Sequence, residues 1–196
     1  GLTHLDKTPP TLTSISTTSS RVGTGFLGIG DEYIITLNSL ESLQEPIVFI
    51  SGKKAVVQGE AQNWTAKMTI TGEHLEGKIQ YSIQYKDIAG NSGLTYENNE
   101  DDQFEVIDVS GPIASIKTLK SEWNHEEEKS NLLLKISAHD NASGISGWFV
   151  GSQKEIPNIS DTPWESLTTT NQFNDNLSVG IDSNFDEQGG LFIWFK

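Results

Sequence analysis

The residues best suited to chemistry in this chain are hard oxygen donors. Asp6, Glu41 and Asp87 lie in the first half, and Asp108 and Asp140 in the second, each beside a turn-forming stretch. In a β-sandwich, the leading residue and the loops after the second and sixth strands share one pole. These carboxylates can meet there, with Asn91 and Asn141 close by, and clustered oxygen ligands suit Ca²⁺. A simpler arrangement takes precedence. Asp87 and Asn91 cap their own tight loop through side-chain to backbone hydrogen bonds, and Asp108 ends a strand. Ca²⁺ is the one candidate cofactor, and none is required.

A second group is aromatic. Trp123 and Trp164 lie near turns and are expected to be exposed, where their rings can stack on the apolar face of a sugar. Trp148 falls in the expected third strand of the second half, a place where immunoglobulin-type folds bury a Trp, and Trp194 is likewise expected to pack in the core.

Catalytic patterns are weak by comparison. Gly23-Thr24-Gly25-Phe26-Leu27-Gly28 spells G-x-G-x-x-G, but a dinucleotide site needs a helix next, and the following DEYIITL reads as a strand. His4, His74, His125 and His139 lack metal-ligand spacing, and there is no G-x-S-x-G. His139-Asp140 beside Ser143 is sequence proximity, whereas triads assemble through the fold. The acidic run 97–102 lacks the alternation and central Gly of an EF-hand loop. No catalytic site is expected.

Composition narrows the class further. A formal charge of -14 with a pI near 4.5 disfavours nucleic acid, whose binding is led by Lys and Arg, and disfavours anionic membranes. The absence of cysteine removes thiolate metal sites, a Cys nucleophile and disulfides. No stretch is apolar enough to span a bilayer as a helix, so membrane insertion is not expected.

Positioning these side chains falls to strands. Strict alternation puts Trp64, Ala66, Met68 and Ile70 on one face of 63–70, Ile79, Tyr81, Ile83 and Tyr85 on one face of 78–86, and Leu132, Leu134, Ile136 and Ala138 on one face of 130–138. Turn clusters such as Ser51-Gly52-Lys53, Thr71-Gly72-Glu73 and Asn141 to Gly144 separate the runs. Strands are expected near 11–18, 32–38, 46–50, 54–58, 63–70, 78–86 and 103–107, enough for an immunoglobulin-type sandwich.

The pattern then restarts. DKTPPTL at 6–12 is echoed by DVSGPIA at 108–114, and YSIQYK at 81–86 by LFIWFK at 191–196. The expected fold is therefore all-β, with two tandem immunoglobulin-like β-sandwich domains at 1–107 and 108–196, joined by a short stiff linker at 107–112. The second is expected to lack its last strand, which implies that the native chain continues past Lys196.

The strings DKTPPTLTSIS, SGKKAVV, NWTAKMTI and KDIAGNSG resemble bacterial Ig-like repeats that occur in tandem in large adhesins and other exported proteins. This likeness covers nearly the whole first domain; the second, through ISAHDNASGISGWFV and LFIWFK, is a looser relative. The resemblance implies an extracellular or cell-surface, non-enzymatic segment that acts as a spacer or display element beside neighbouring domains of the same chain. The alternative it implies is a glycan- or protein-binding module of an adhesin or a secreted polysaccharide-degrading enzyme, with Trp123 and Trp164 as ligand residues.

Overall fold

The computed structural model describes residues 5–98, 105–126, 129–151, 155, 158, 160, 164–181 and 191–196. Every regular element among them is a β-strand. The chain divides into two compact units, 1–109 and 110–196; the restart in the letters falls two residues earlier.

Unit 1 contains β1 (Leu12–Ser19), β2 (Phe26–Leu27), β3 (Glu32–Ser39), β4 (Ile47–Ile50), β5 (Lys53–Lys54), β6 (Val56–Glu60), β7 (Asn63–Thr69), β8 (Gly77–Lys78), β9 (Tyr81–Gln84), β10 (Tyr96–Glu97) and β11 (Val106–Ile107). They form a sheet β1-β3-β7-β6, a sheet β10-β9-β4-β5 and a small sheet β2-β11-β8. Alternation decides which face is buried. Tyr33, Ile35 and Leu37 of β3 stand opposite Met68, Ala66 and Trp64 of β7, and all six are buried. Val48 of β4 stands opposite Ile83 of β9, and both join the same core with Ile50. Each large aliphatic side chain buried this way contributes about 1.5–3 kcal/mol. The Trp64 indole N–H escapes isolation by donating to the Ala61 carbonyl at 3.0 Å.

Two strands expected to be continuous are split. The 78–86 run divides into β8 and β9 because the chain changes sheets at Ile79 and Gln80. The Ile79 N–H donates to the Glu105 carbonyl, and the Gln80 carbonyl accepts from Ser51. The alternation survives the change, since Ile79, Ile83 and Tyr85 remain buried. Likewise β5 and β6 part at Ala55, whose N–H donates to the Val48 carbonyl. Strands β2 and β10 lie outside the expected set. β2 sits inside the Gly-rich stretch, where Gly23 and Gly25 take φ of 85° and 77°, and it pairs parallel to β11. The element after that stretch is β3, a strand, which removes the helix a phosphate cradle needs.

Unit 2 contains β12 (Ile113–Asn124), β13 (Lys129–His139), β14 (Ile145–Gly151), β15 (Glu165–Thr170), β16 (Gln172–Ile181) and β17 (Phe192–Phe195), in sheets β12-β13-β16 and β15-β14-β17. Leu134, Ile136 and Ala138 point inward from β13 as their alternation requires. Phe173 of β16 bridges to the second sheet, with ring centroids 5.7 Å from Trp148 and 5.4 Å from Phe195. This core is thin: among the described residues five apolar side chains are buried in it, against sixteen in unit 1. Ile116 pairs with buried Ile136 yet stays 47% exposed.

Unequal cores predict unequal melting. Calorimetry of the 196-residue chain should resolve two transitions, with unit 2 melting first. Ile136→Ala should lower the first and Ile83→Ala the second, each by about 2–5 kcal/mol. A single transition shifted by both substitutions would show the cores to be one cooperative unit.

Candidate functional site

Three loops of unit 1 carry the acidic group. Asp6 lies in the segment leading into β1, Glu41 in the loop after β3, and Asp87 just past β9. The ladder draws the last two together, since Leu43 forms an isolated bridge with Asp87 and Gln44 donates to the Lys86 carbonyl at 2.9 Å. Asn91 ties in the first by donating from Nδ2 to the Asp6 carbonyl at 3.3 Å. One carboxylate oxygen from each of Asp6, Glu41 and Asp87 then lies within 4.8 Å of the others. Asp6 is exposed, Glu41 half-buried and Asp87 buried.

Asp87 is the fixed point. Its Oδ1 accepts the Asn91 backbone N–H and its Oδ2 accepts Asn91 Nδ2, both at 2.7 Å. The Gly90 N–H reaches the Asp87 carbonyl at 3.2 Å, closing the tight loop. Burial alone pushes the Asp87 carboxyl pKa up. Hydrogen bonds from the Asn91 side chain and from the Asn91, Gly90 and Ala89 backbone outweigh that and hold it below the usual aspartate range. Asp6 also caps locally, its Oδ1 accepting the Thr8 N–H at 2.9 Å. Each Asp87 oxygen is thus committed to the loop. The triad offers Ca²⁺ three carboxylates, whereas that ion takes six to eight oxygens.

The other two carboxylates enter no group of three among the described residues. Asp108 belongs to unit 1, where its N–H donates to the Leu27 carbonyl at the end of β11. Asp140 is buried in unit 2, and its Oδ1 accepts the Ala142 and Gly144 N–H groups, each at 2.9 Å, which caps the loop after β13. Those bonds turn Asp140 toward its own loop, with Asn141 exposed beside it. His139 is exposed on β13.

Among the tryptophans, Trp123 is 52% exposed at the end of β12, with its ring edge-on to His125 at 6.4 Å. Trp164 differs from the expectation of exposure. It is half-buried, with its ring 6.0 Å from Phe149 and the Lys196 ammonium 5.2 Å above it. Trp148 packs on Phe173, within the core. Trp194 does not. Leu191, Ile193 and Phe195 are the residues of that segment that pack on the core, so Trp194 and Phe192 project from the opposite face. The signal was present in the letters, since LFIWFK is apolar on both parities where YSIQYK alternates.

Sequence reasoning also passed over His74, which is buried. Its Nδ1 accepts the Thr71 N–H at 2.9 Å, and its Nε2 lies 3.2 Å from Met68 Sδ. Its role is to close the turn after β7.

Compared with known proteins, the chain matches no protein-family model and no curated sequence.

Two outcomes follow from the committed Asp87 oxygens. Asp87→Asn places an amide donor against Asn91 Nδ2 and should lower the melting temperature of unit 1 by roughly 5–10 °C at neutral pH. Because the folded carboxyl is held below its unfolded value, its contribution is present above about pH 4 and is lost as pH falls through the lowered folded value. The wild-type melting temperature should therefore fall more between pH 6 and pH 2 than that of Asp87→Asn; parallel curves would refute the linkage. For the triad, melting in chelator and in millimolar Ca²⁺ should coincide. A Ca²⁺-dependent rise that Asp6→Asn abolishes would instead assign the three carboxylates to the ion.

Proposed function

We propose that the chain is a non-catalytic tandem of two immunoglobulin-like β-sandwich modules that serves as a spacer or display segment of a bacterial surface or secreted adhesin-like protein. The observation that carries this reading is the strand order of unit 1. Sheet β1-β3-β7-β6 and sheet β10-β9-β4-β5 share one core, and that grouping corresponds to the two sheets of an immunoglobulin-type sandwich. Unit 2 supports it with β12-β13-β16 and β15-β14-β17, the same grouping with fewer strands. The resemblance of DKTPPTLTSIS and KDIAGNSG to exported bacterial repeats supports the location.

Chemistry at the candidate site fits this role. The carboxylate that tertiary structure buries, Asp87, is spent on holding a loop. Extracellular placement also suits an acidic, cysteine-free chain, whose charge of -14 favours solubility. Neighbouring domains of the same chain are the first partners this reading implies.

The reading is tested by location. An antiserum raised against this chain should label intact cells of the source organism or its culture medium, and protease added outside the cells should remove the cell-bound signal. Labelling that appears only after lysis would overturn the display role.

A further inference from the structure

The two ends of unit 1 lie at opposite poles. The entering segment sits beside the loops after β3 and β9, where the Leu40 N–H donates to the Thr11 carbonyl at 2.9 Å and Asn91 Nδ2 donates to that of Asp6 at 3.3 Å. The leaving segment sits beside β2 and the turn after β7. There the Asp108 N–H donates to the Leu27 carbonyl at 2.9 Å and the Val109 N–H to Glu76 Oε1 at 3.3 Å. Because β3 and β7 are antiparallel neighbours, the loops that follow them mark the two opposite poles. A pull on the ends of the unit therefore runs along its strands.

Both end strands are held against such a pull. β1 pairs with β3 from Leu12 opposite Ser39 to Ser19 opposite Tyr33. Its ladder bonds cross perpendicular to the strands, so a lengthwise pull shears them together, whereas a sideways pull opens them one after another. β11 is only two residues long, yet it is clasped on both edges, parallel to β2 and antiparallel to β8. Ile107 and its partner Leu27 are fully buried, so this short strand has neither a free edge nor a wet face from which to peel.

A side-chain contact joins the first strand to the last. Ser19, the final residue of β1, donates from Oγ to Glu105 Oε1 at 2.6 Å, just ahead of β11. Ser19 is buried, and Glu105 Oε2 is buried with no hydrogen-bond partner among the described residues. Tension draws β1 toward the entry pole and β11 toward the exit pole, which stretches this bond directly. Shelter from water strengthens it and denies it a replacement partner. We infer that unit 1 is a tension-bearing module whose clamp is β11 between β2 and β8, tied to β1 through Ser19 and Glu105. This goes beyond the display role and stands whether or not the chain lies outside a cell.

The chain has no cysteine, so two introduced thiols define the direction of pull on the 196-residue protein. Lys7→Cys with Ser110→Cys pulls along the strands. Lys7→Cys with Glu60→Cys pulls sideways at the entry pole, since the β6–β7 turn lies there through the Ser39 N–H donating to the Gln62 carbonyl. In single-molecule stretching the lengthwise rupture force should exceed the sideways one about twofold or more, because rupture follows the unfolding barrier along the pulled direction. Ser19→Ala should narrow that ratio by lowering the lengthwise force alone, and Glu105→Gln, which keeps an oxygen acceptor for Ser19, should preserve it. Equal forces in the two directions would overturn the tension-bearing role, and that comparison stands even if Ser19→Ala fails to fold. A ratio unmoved by Ser19→Ala, or two forces that fall together, would overturn the clamp, since Ser19 would then serve general stability or nothing.

Discussion

The core-facing row shared by β3 and β7 is what the rest of unit 1 hangs on. Tyr33, Ile35 and Leu37 meet Met68, Ala66 and Trp64 in direct cross-strand pairs, so small Ala66 lies opposite Ile35, and the broad Trp64 ring lies opposite Leu37. A slip of one residue between them would turn the three inward side chains of one strand to solvent, which fixes the register. With that row in place, Val48, Ile50 and Ile83 of the other sheet have an apolar surface to cover, and the loops at the pole beyond them are brought to fixed positions.

The loop of Asp87 shows how this constraint reaches the candidate site. Tyr85 is buried and Gly93 lies so close to its ring that a Cβ would stand 2.2 Å away, which pins both ends of the loop. Between them the chain must reverse within a few residues, and Asn91 bonded to Asp87 supplies the closure. Acidity at this pole is thus a by-product of turn chemistry as much as a ligand set. Asp140 repeats the device in unit 2 with two loop amides as donors.

Unit 2 follows the same rules with less margin. The register shifts between Thr118 and Lys120 of β12 and, where β14 meets β15, between Ile145 and Gly147, and Trp148, three residues on from buried Ile145, faces Phe173. Its inner row is short, and β12 lies largely exposed. Aromatic side chains then carry much of the packing, and some of them, Phe149 and Trp194 among them, stand on the face away from the core.

The sequence by itself determined the longer strands of the first half, the 130–138 strand and their inward faces, because a period of two is a local property that each segment displays alone. It also showed that Asp87 and Asn91 belong to one loop, since turn capping acts over a few residues. Tertiary structure decided what depends on distant partners. It split 78–86 between two sheets because the Ile79 N–H is taken by the Glu105 carbonyl and the Gln80 carbonyl by the Ser51 N–H. It brought Asp6 and Glu41 to Asp87 while leaving Asp108 in unit 1 and Asp140 in its own cap. It turned Trp194 outward and Trp164 onto Phe149, because LFIWFK is apolar on both parities and only the opposing Phe173 selects which side is the core.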